Sequence, residues 1–225
     1  MNNKTKGLFI TATGTDIGKT YVTGLIVKKM RDAGFNCGYY KAAISGADSV
    51  KESDAGYVNQ FAGIGQSDDS LVPYLYKEAV SPHLASKLEK NPVEMSVVKD
   101  GFYKNAQKFS YLTMEGSGGI VCPIRYDAKA KMFLKDIIRE LSLPCLIVAD
   151  AGLGTINEVV LTVEYMKTHS LIIKGIILNN YSGGVMQDDN IKMIENMTGM
   201  EIIALVKKDD KELNISVEKL AALYE

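Results

Sequence analysis

Residues 11–20 read Thr-Ala-Thr-Gly-Thr-Asp-Ile-Gly-Lys-Thr, between the apolar run Gly7-Leu8-Phe9-Ile10 and a helical pattern that starts at Tyr21. A buried strand, a loop of small residues and a helix opening on Gly-Lys-Thr form a phosphate cradle. The first N–H groups of a helix have no partner inside it, and its dipole favours an anion. Lys19 adds a mobile positive charge where β- and γ-phosphates lie, and Thr20, in the first helical turn, turns its hydroxyl toward Mg²⁺. The spacing is irregular. Gly-x-x-x-x-Gly-Lys-Thr asks for glycine at Thr13, a loop one residue longer asks for it at Ala12, and Gly14 is the one nearby residue that takes a positive φ without steric cost.

The rest of the chain is compatible with such a unit. Short apolar runs at 7–12, 37–40, 109–114, 144–149, 172–178 and 201–206 read as strands. Helical patterns lie between them at 19–33, 54–63, 84–90, 94–107, 130–141, 155–167, 187–197 and 214–224, several entered by Ser, Asp or Asn caps. Strands that lack polar alternation and alternate with helices predict an α/β fold with a mostly parallel sheet covered by helices on both faces. A chain of 225 residues with 46% hydrophobic content carries one well-buried core, so 1–225 is read as a single domain.

A formal net charge of −1 with scattered positive residues argues against nucleic acid or an anionic membrane and for a small-molecule partner. Cys37, Cys122 and Cys145 are odd in number, lack metal-ligand spacing and lie in or beside apolar runs, as reduced thiols of a cytoplasmic protein do. Residues 1–6 lead into only a short apolar run, so no signal peptide is expected, and no apolar stretch approaches the roughly 20 residues of a membrane span.

In parallel sheets ligands bind beyond the carboxyl ends of the strands. Lys41 follows the run 37–40 and either neutralises phosphate charge or simply closes a strand. Glu115, followed by Gly116-Ser117-Gly118-Gly119, reads as a carboxylate at the sheet's rim joined to a glycine-rich loop that lets backbone approach a ligand. Asp54 either caps the helix that follows or ligates metal. Thr20, Asp54 and Glu115 together offer the hydroxyl and carboxylates that Mg²⁺ takes beside phosphate and water. Asp150-Ala151-Gly152-Leu153-Gly154-Thr155-Ile156-Asn157 opens another helix, either as a second anion site suited to a carboxylate or as structural turn glycines. Ser81-Pro82-His83 reads as a helix cap and first turn, and His83 is not taken as a base. The charged cluster 207–212 reads as a solvated loop.

In order along the chain, Thr13-x-Thr15-x-x-Gly18-Lys19-Thr20, Gly38-Tyr39-Tyr40-Lys41, Ser53-Asp54-Ala55, Ser81-Pro82-His83, Glu115-Gly116-x-Gly118-Gly119, Gly152-Leu153-Gly154-x-Ile156-Asn157 and Asn179 resemble dethiobiotin synthetase over nearly the whole length. The resemblance implies a cytoplasmic P-loop nucleotide-binding fold and a homodimer. It also implies ATP-dependent ring closure of 7,8-diaminononanoate with CO₂ through a carbamate and a carbamic-phosphoric anhydride, in biotin biosynthesis. By the same resemblance Lys19 and Lys41 hold phosphates, and Thr20, Asp54 and Glu115 hold Mg²⁺. Thr15, Asp16, Ile17, Gly18, Thr20, Glu115 and Gly118 line the ATP site, with Asn179 at the adenine. Ser45 touches the diamine end, while Gly152, Leu153, Gly154 and Asn157 of the partner subunit meet the distal carboxylate. The chain departs from that pattern at Ala12, where glycine is common, at Ala42, where proline is usual, and at Ala204-Leu205-Val206-Lys207.

No protein nucleophile is needed for such a reaction, since positioning and charge stabilisation carry phosphoryl transfer. Two other readings share the cradle. A partitioning or positioning ATPase would carry a signature lysine at Gly14 and a basic or membrane-binding element, which the sequence lacks; an amidoligase of cofactor synthesis would use a different acid substrate.

Overall fold

A computed structural model describes residues 5–225; residues 1–4, at the head of the segment in which no signal peptide is expected, lie outside the described residues. In chain order the elements are β1 (Lys6–Ala12), α1 (Lys19–Asp32), β2 (Cys37–Lys41), β3 (Ile44–Ser45), α2 (Asp54–Phe61), α3 (Asp68–Leu71), β4 (Leu75–Tyr76), α4 (Pro82–Leu88), α5 (Met95–Ala106), β5 (Tyr111–Gly119), β6 (Pro123–Tyr126), β7 (Lys131–Phe133), α6 (Leu134–Leu141), β8 (Cys145–Asp150), α7 (Thr155–Thr168), β9 (Ile173–Asn179), α8 (Val185–Thr198), β10 (Ile202–Leu205) and α9 (Val217–Ala222).

The six apolar runs form one sheet in the order β10-β9-β8-β1-β5-β2, every neighbouring pair parallel. Alternation along β1 explains why its run is continuous rather than patterned. Leu8, Ile10 and Ala12 enter a core with Val22, Leu25 and Ile26 of α1 and Leu220 of α9, while Phe9 enters the opposite core with Phe102 of α5, Ile137 of α6 and Val163 of α7. Both faces of the central strands are therefore dry, as the mostly parallel two-faced α/β reading requires.

Three elements differ from the sequence expectation. Residues 109 and 110 precede the fifth strand, and Glu115 to Gly119 continue it instead of forming a rim loop. β5 is irregular there: Ile10 pairs with Glu115 and Ala12 with Gly119, so β5 passes four residues while β1 passes two. The glycines serve this bulge, and Glu115 is interior, at 1% exposure. Residues 131–133, assigned to a helix, pair with 123–126 in a two-stranded antiparallel hairpin, and the helix starts only at Leu134. The two-residue strands β3 and β4 pair in parallel near the site and carry no periodicity long enough to read.

β2 is an edge strand whose outer backbone is not left bare. Gln66 accepts from Tyr39 N–H (2.7 Å) and donates to the Tyr39 carbonyl (3.0 Å), so one side chain does what a neighbouring strand would do. The same amide donates to Asn105 of α5 at 3.0 Å, tying that edge to the helix layer.

Candidate active site

The loop after β1 turns on residues other than the one expected. Positive φ falls on Asp16 (59°) and Gly18 (83°), and Gly14 is absent from that set. Aspartate is among the few side chains that tolerate the left-handed region, and Gly18 is the N-cap of α1. Glycine is favoured at 18 for a second reason: a Cβ there would stand 2.2 Å from Nδ2 of Asn179, which would have to shift. That amide donates to the Ile17 carbonyl at 2.9 Å, so the end of β9 braces the cradle from beneath. Ala12, the departure at the foot of the loop, packs its methyl into the core, fully buried. Close approach on its other side comes from Gly119, whose Cβ would meet the Thr13 carbonyl at 3.2 Å.

Lys19, Thr20 and Lys41 converge on Glu115, and Asp54 joins them through Lys41. One oxygen, Oε1, accepts from Lys19 Nζ at 3.0 Å, Lys41 Nζ at 2.8 Å and Thr20 Oγ1 at 2.8 Å. Lys41 also reaches Oδ2 of Asp54 at 2.5 Å, and Oε2 of Glu115 accepts from the Tyr39 hydroxyl at 3.3 Å. Parallel pairing places Lys41 directly opposite Glu115, which is why strand ends far apart in sequence deliver one cluster. Two ammoniums and two carboxylates leave it formally neutral.

The protonation balance follows from burial set against these neighbours. Burial pushes the Glu115 carboxyl up, but the Lys19 and Lys41 ammoniums reverse this and hold it down at about 2. Burial lowers Lys19, and Glu115 and Asp54 restore only part of the loss against repulsion from Lys41. The same burial acts on Lys41, yet Glu115 and Asp54 together carry it above the ordinary lysine value. The two lysines share Glu115 but shift oppositely because only Lys41 has a second carboxylate in contact.

A cleft of about 880 Å³ opens over the cluster, walled by Gly14, Thr15, Asp16, Gly18, Lys19 and Thr20 on one side and by Lys41, Ser45, Asp54 and Gly118 on the other. Glu115, Ile17 and Asn179 stand outside its wall: Glu115 is buried beneath the lysines and Thr20 that line it, Ile17 packs on the core and Asn179 holds the loop; Asn179 Oδ1 accepts no hydrogen bond among the described residues. Sequence reasoning gave no site role to several further residues. Ala43, Ile44, Gly46, Ala79 to Pro82, Ser117 and Cys122 also line the cleft. Tyr39 could have been found from strand alternation, being two residues before Lys41 on the same face.

The donor set suits Mg²⁺. It offers oxygen only, with two carboxylates and one hydroxyl, and no group of three or more His, Cys, Asp or Glu gathers among the described residues as a self-sufficient cage would need. Mg²⁺ takes one or two protein carboxylates and completes its shell from phosphate and water.

Gly152, Leu153, Gly154 and Asn157 are not brought to this cleft. Leu153, Gly154 and Asn157 line a separate one of about 430 Å³ between α7 and α8, with Leu153 itself 92% exposed. Thr155, the first residue of α7, buries a hydroxyl that has no hydrogen-bond partner among the described residues. His83 donates to or accepts from Ser81 at 2.9 Å at the head of α4, as expected of a helix start.

The family described as "AAA domain" matches residues 6–214. Over 221 residues the chain is 53% identical to the ATP-dependent dethiobiotin synthetase BioD of Brachyspira hyodysenteriae, covering 98% of this chain and 99% of that one. A Clostridium botulinum protein of the same name is 45% identical over 225 residues, covering 98% of each. Among solved structures, the MinC:MinD cell division complex of Aquifex aeolicus aligns with TM-score 0.58 at 14% identity, over 97% of this chain and 86% of that one. A ParA family ATPase from Chlorobium tepidum gives 0.58 at 14% identity, over 92% and 86%. These two likenesses concern the fold alone.

Proposed function

The chain belongs to the ATP-dependent dethiobiotin synthetase family, and on that premise we propose how its residues close the ureido ring of dethiobiotin. The substrates are 7,8-diaminononanoate, CO₂ and ATP. An amine adds to CO₂ and loses a proton, giving a carbamate. A carbamate oxygen attacks the γ-phosphorus and displaces ADP. The second amine then attacks the carbamoyl carbon and expels phosphate. No step calls for a protein nucleophile, and burial pushes the Cys122 thiol at the cleft wall up to about 11, which keeps it neutral.

The observation that carries this reading is the convergence of two lysines and a hydroxyl on one carboxylate oxygen at the mouth of the cradle. Glu115 stores the lysines as fixed counter-charges until a polyphosphate arrives, so the positive groups need little reorganisation when charge develops on the transferring phosphoryl group. Lys19 moves from Glu115 to the β- and γ-phosphates beside the free N–H groups of α1. Lys41 stays beside Asp54 and turns from Glu115 to the transferred group. Thr15, Asp16, Gly18 and Gly118 line the phosphates, and Asn179 reads the adenine through Oδ1 while its nitrogen holds the loop. Ser45, which donates to the Val80 carbonyl at 2.6 Å, turns its oxygen to the diamine. Thr20, Asp54 and Glu115 would hold Mg²⁺, which would withdraw charge from the phosphates as a Lewis acid.

The chain is read as one domain, supported by a single six-stranded sheet with a core on each face. It works as a homodimer in which α7 of a second copy takes the distal carboxylate. Two features support this: the separation of the α7 start from the phosphate cleft, and exposed Leu153 just before α7, Leu161 on it and Met197 on α8. A cytoplasmic location fits the three free cysteines; no helix among the described residues is long and apolar enough to cross a membrane.

Incubation with the diamine, labelled bicarbonate, Mg²⁺ and ATP tests the reaction. Label entering an acid-stable product with matching ADP is the expected result. Hydrolysis of ATP that ignores the diamine would instead mark a nucleotide switch.

A further inference from the structure

Among the described residues four groups donate to Glu115, and three of them have other work once ligands arrive. Lys19 and Lys41 turn to phosphate and Thr20 to the metal, all three lining the cleft. The fourth, the Tyr39 hydroxyl, is fully buried, stands outside the cleft wall and makes no other hydrogen bond among the described residues. Its ring belongs to the core that α1 and α9 cover, and its backbone is clamped at both N–H and C=O by Gln66. The donor is therefore rigid. It contacts Oε2, while the cleft-side donors all share Oε1.

We propose that Tyr39 is a positioning residue that anchors Oε2 of Glu115, so that Oε1 stays turned toward the side from which Lys19, Thr20 and Lys41 reach it, and is held there as a metal ligand when those three groups turn to their own ligands. This rests on the reading of Glu115 as an Mg²⁺ ligand. The ligand's orientation is thus set from the core side of the sheet, by a group that never touches substrate.

The test is Tyr39→Phe, which keeps the ring and deletes only the hydroxyl. Mn²⁺ binding to the full-length protein loaded with a non-hydrolysable ATP analogue is measured by electron paramagnetic resonance, and binding of that analogue in EDTA by calorimetry. The expected result is Mn²⁺ affinity weaker by about tenfold, the usual cost of losing a group that orients a metal ligand, with metal-free nucleotide affinity unchanged. Equal loss in both measurements would mean a general structural role and overturn the proposal, as would unchanged Mn²⁺ affinity in Tyr39→Phe. Glu115→Gln, measured alongside, separates the two layers. Weakened Mn²⁺ binding in Glu115→Gln with none in Tyr39→Phe overturns only the role of Tyr39; unchanged binding in Glu115→Gln overturns the metal reading and this proposal with it.

Discussion

Replacing Glu115 by glutamine should move stability and nucleotide affinity in opposite directions. The carboxylate is 1% exposed and is the buried counter-charge of Lys19 and Lys41. Removing one partner of a buried ion pair while leaving the other charged costs about 3–5 kcal/mol. The amide keeps an oxygen that accepts from Thr20, and Lys41 keeps Asp54, so about 3 kcal/mol is expected for the ligand-free protein. With a urea slope of about 2–3 kcal/mol per molar, the midpoint should fall by roughly 1–1.5 M. A triphosphate in the cleft meets one negative charge fewer. Two unit charges about 4 Å apart interact by about 4 kcal/mol at an effective dielectric near 20; since Lys19 and Lys41 neutralise most of that field, about 1.4 kcal/mol remains, a tenfold gain in metal-free ATP affinity. Urea titration with and without ATP, together with calorimetry in EDTA, reads both quantities. An unchanged urea midpoint without ligand would falsify the view of Glu115 as the stored counter-charge, and weaker metal-free ATP binding would contradict its electrostatic cost to the phosphates.

Acid should erase the difference between wild type and that variant. Glu115 is depressed from 4.5 to about 2, so its contribution is complete above pH 4.5 and is lost as pH falls toward 2; urea midpoints of the two proteins should converge over that window, and a constant gap would refute the shift. Gly18→Ala puts a methyl at φ 83° and against Asn179, costing about 1–3 kcal/mol; thermal shift should show a lower melting temperature and a weakened response to ATP. Leu153→Asp, at a 92% exposed position, should leave ATP binding intact while sedimentation velocity shows dissociation and the KM for the diamine rises. An unaltered sedimentation coefficient and KM would remove α7 from the subunit contact.

Much of this was legible in the chain itself. Strand–helix alternation, apolar runs without polar alternation and the Gly-Lys-Thr helix start depend on neighbours within one element, so they determined the layered α/β fold, the cradle and the candidacy of Lys41, Asp54 and Glu115. Local chemistry could not show that Glu115 lies inside the sheet, because Gly116 to Gly119 look the same in a loop as in a bulge until β1 is laid alongside. Nor could it place the turn of the cradle on Asp16 and Gly18, which follows from Asn179 at the end of β9, 162 residues from Ile17. Register decided the rest. Lys41 meets Glu115, and Tyr39 reaches its other oxygen, because β2 and β5 pair in parallel at one offset. Sequence supplied the charges and the small residues; only the tertiary pairing decided which oxygen each donor sees, since that depends on distances between strands whose separation along the chain carries no information about them.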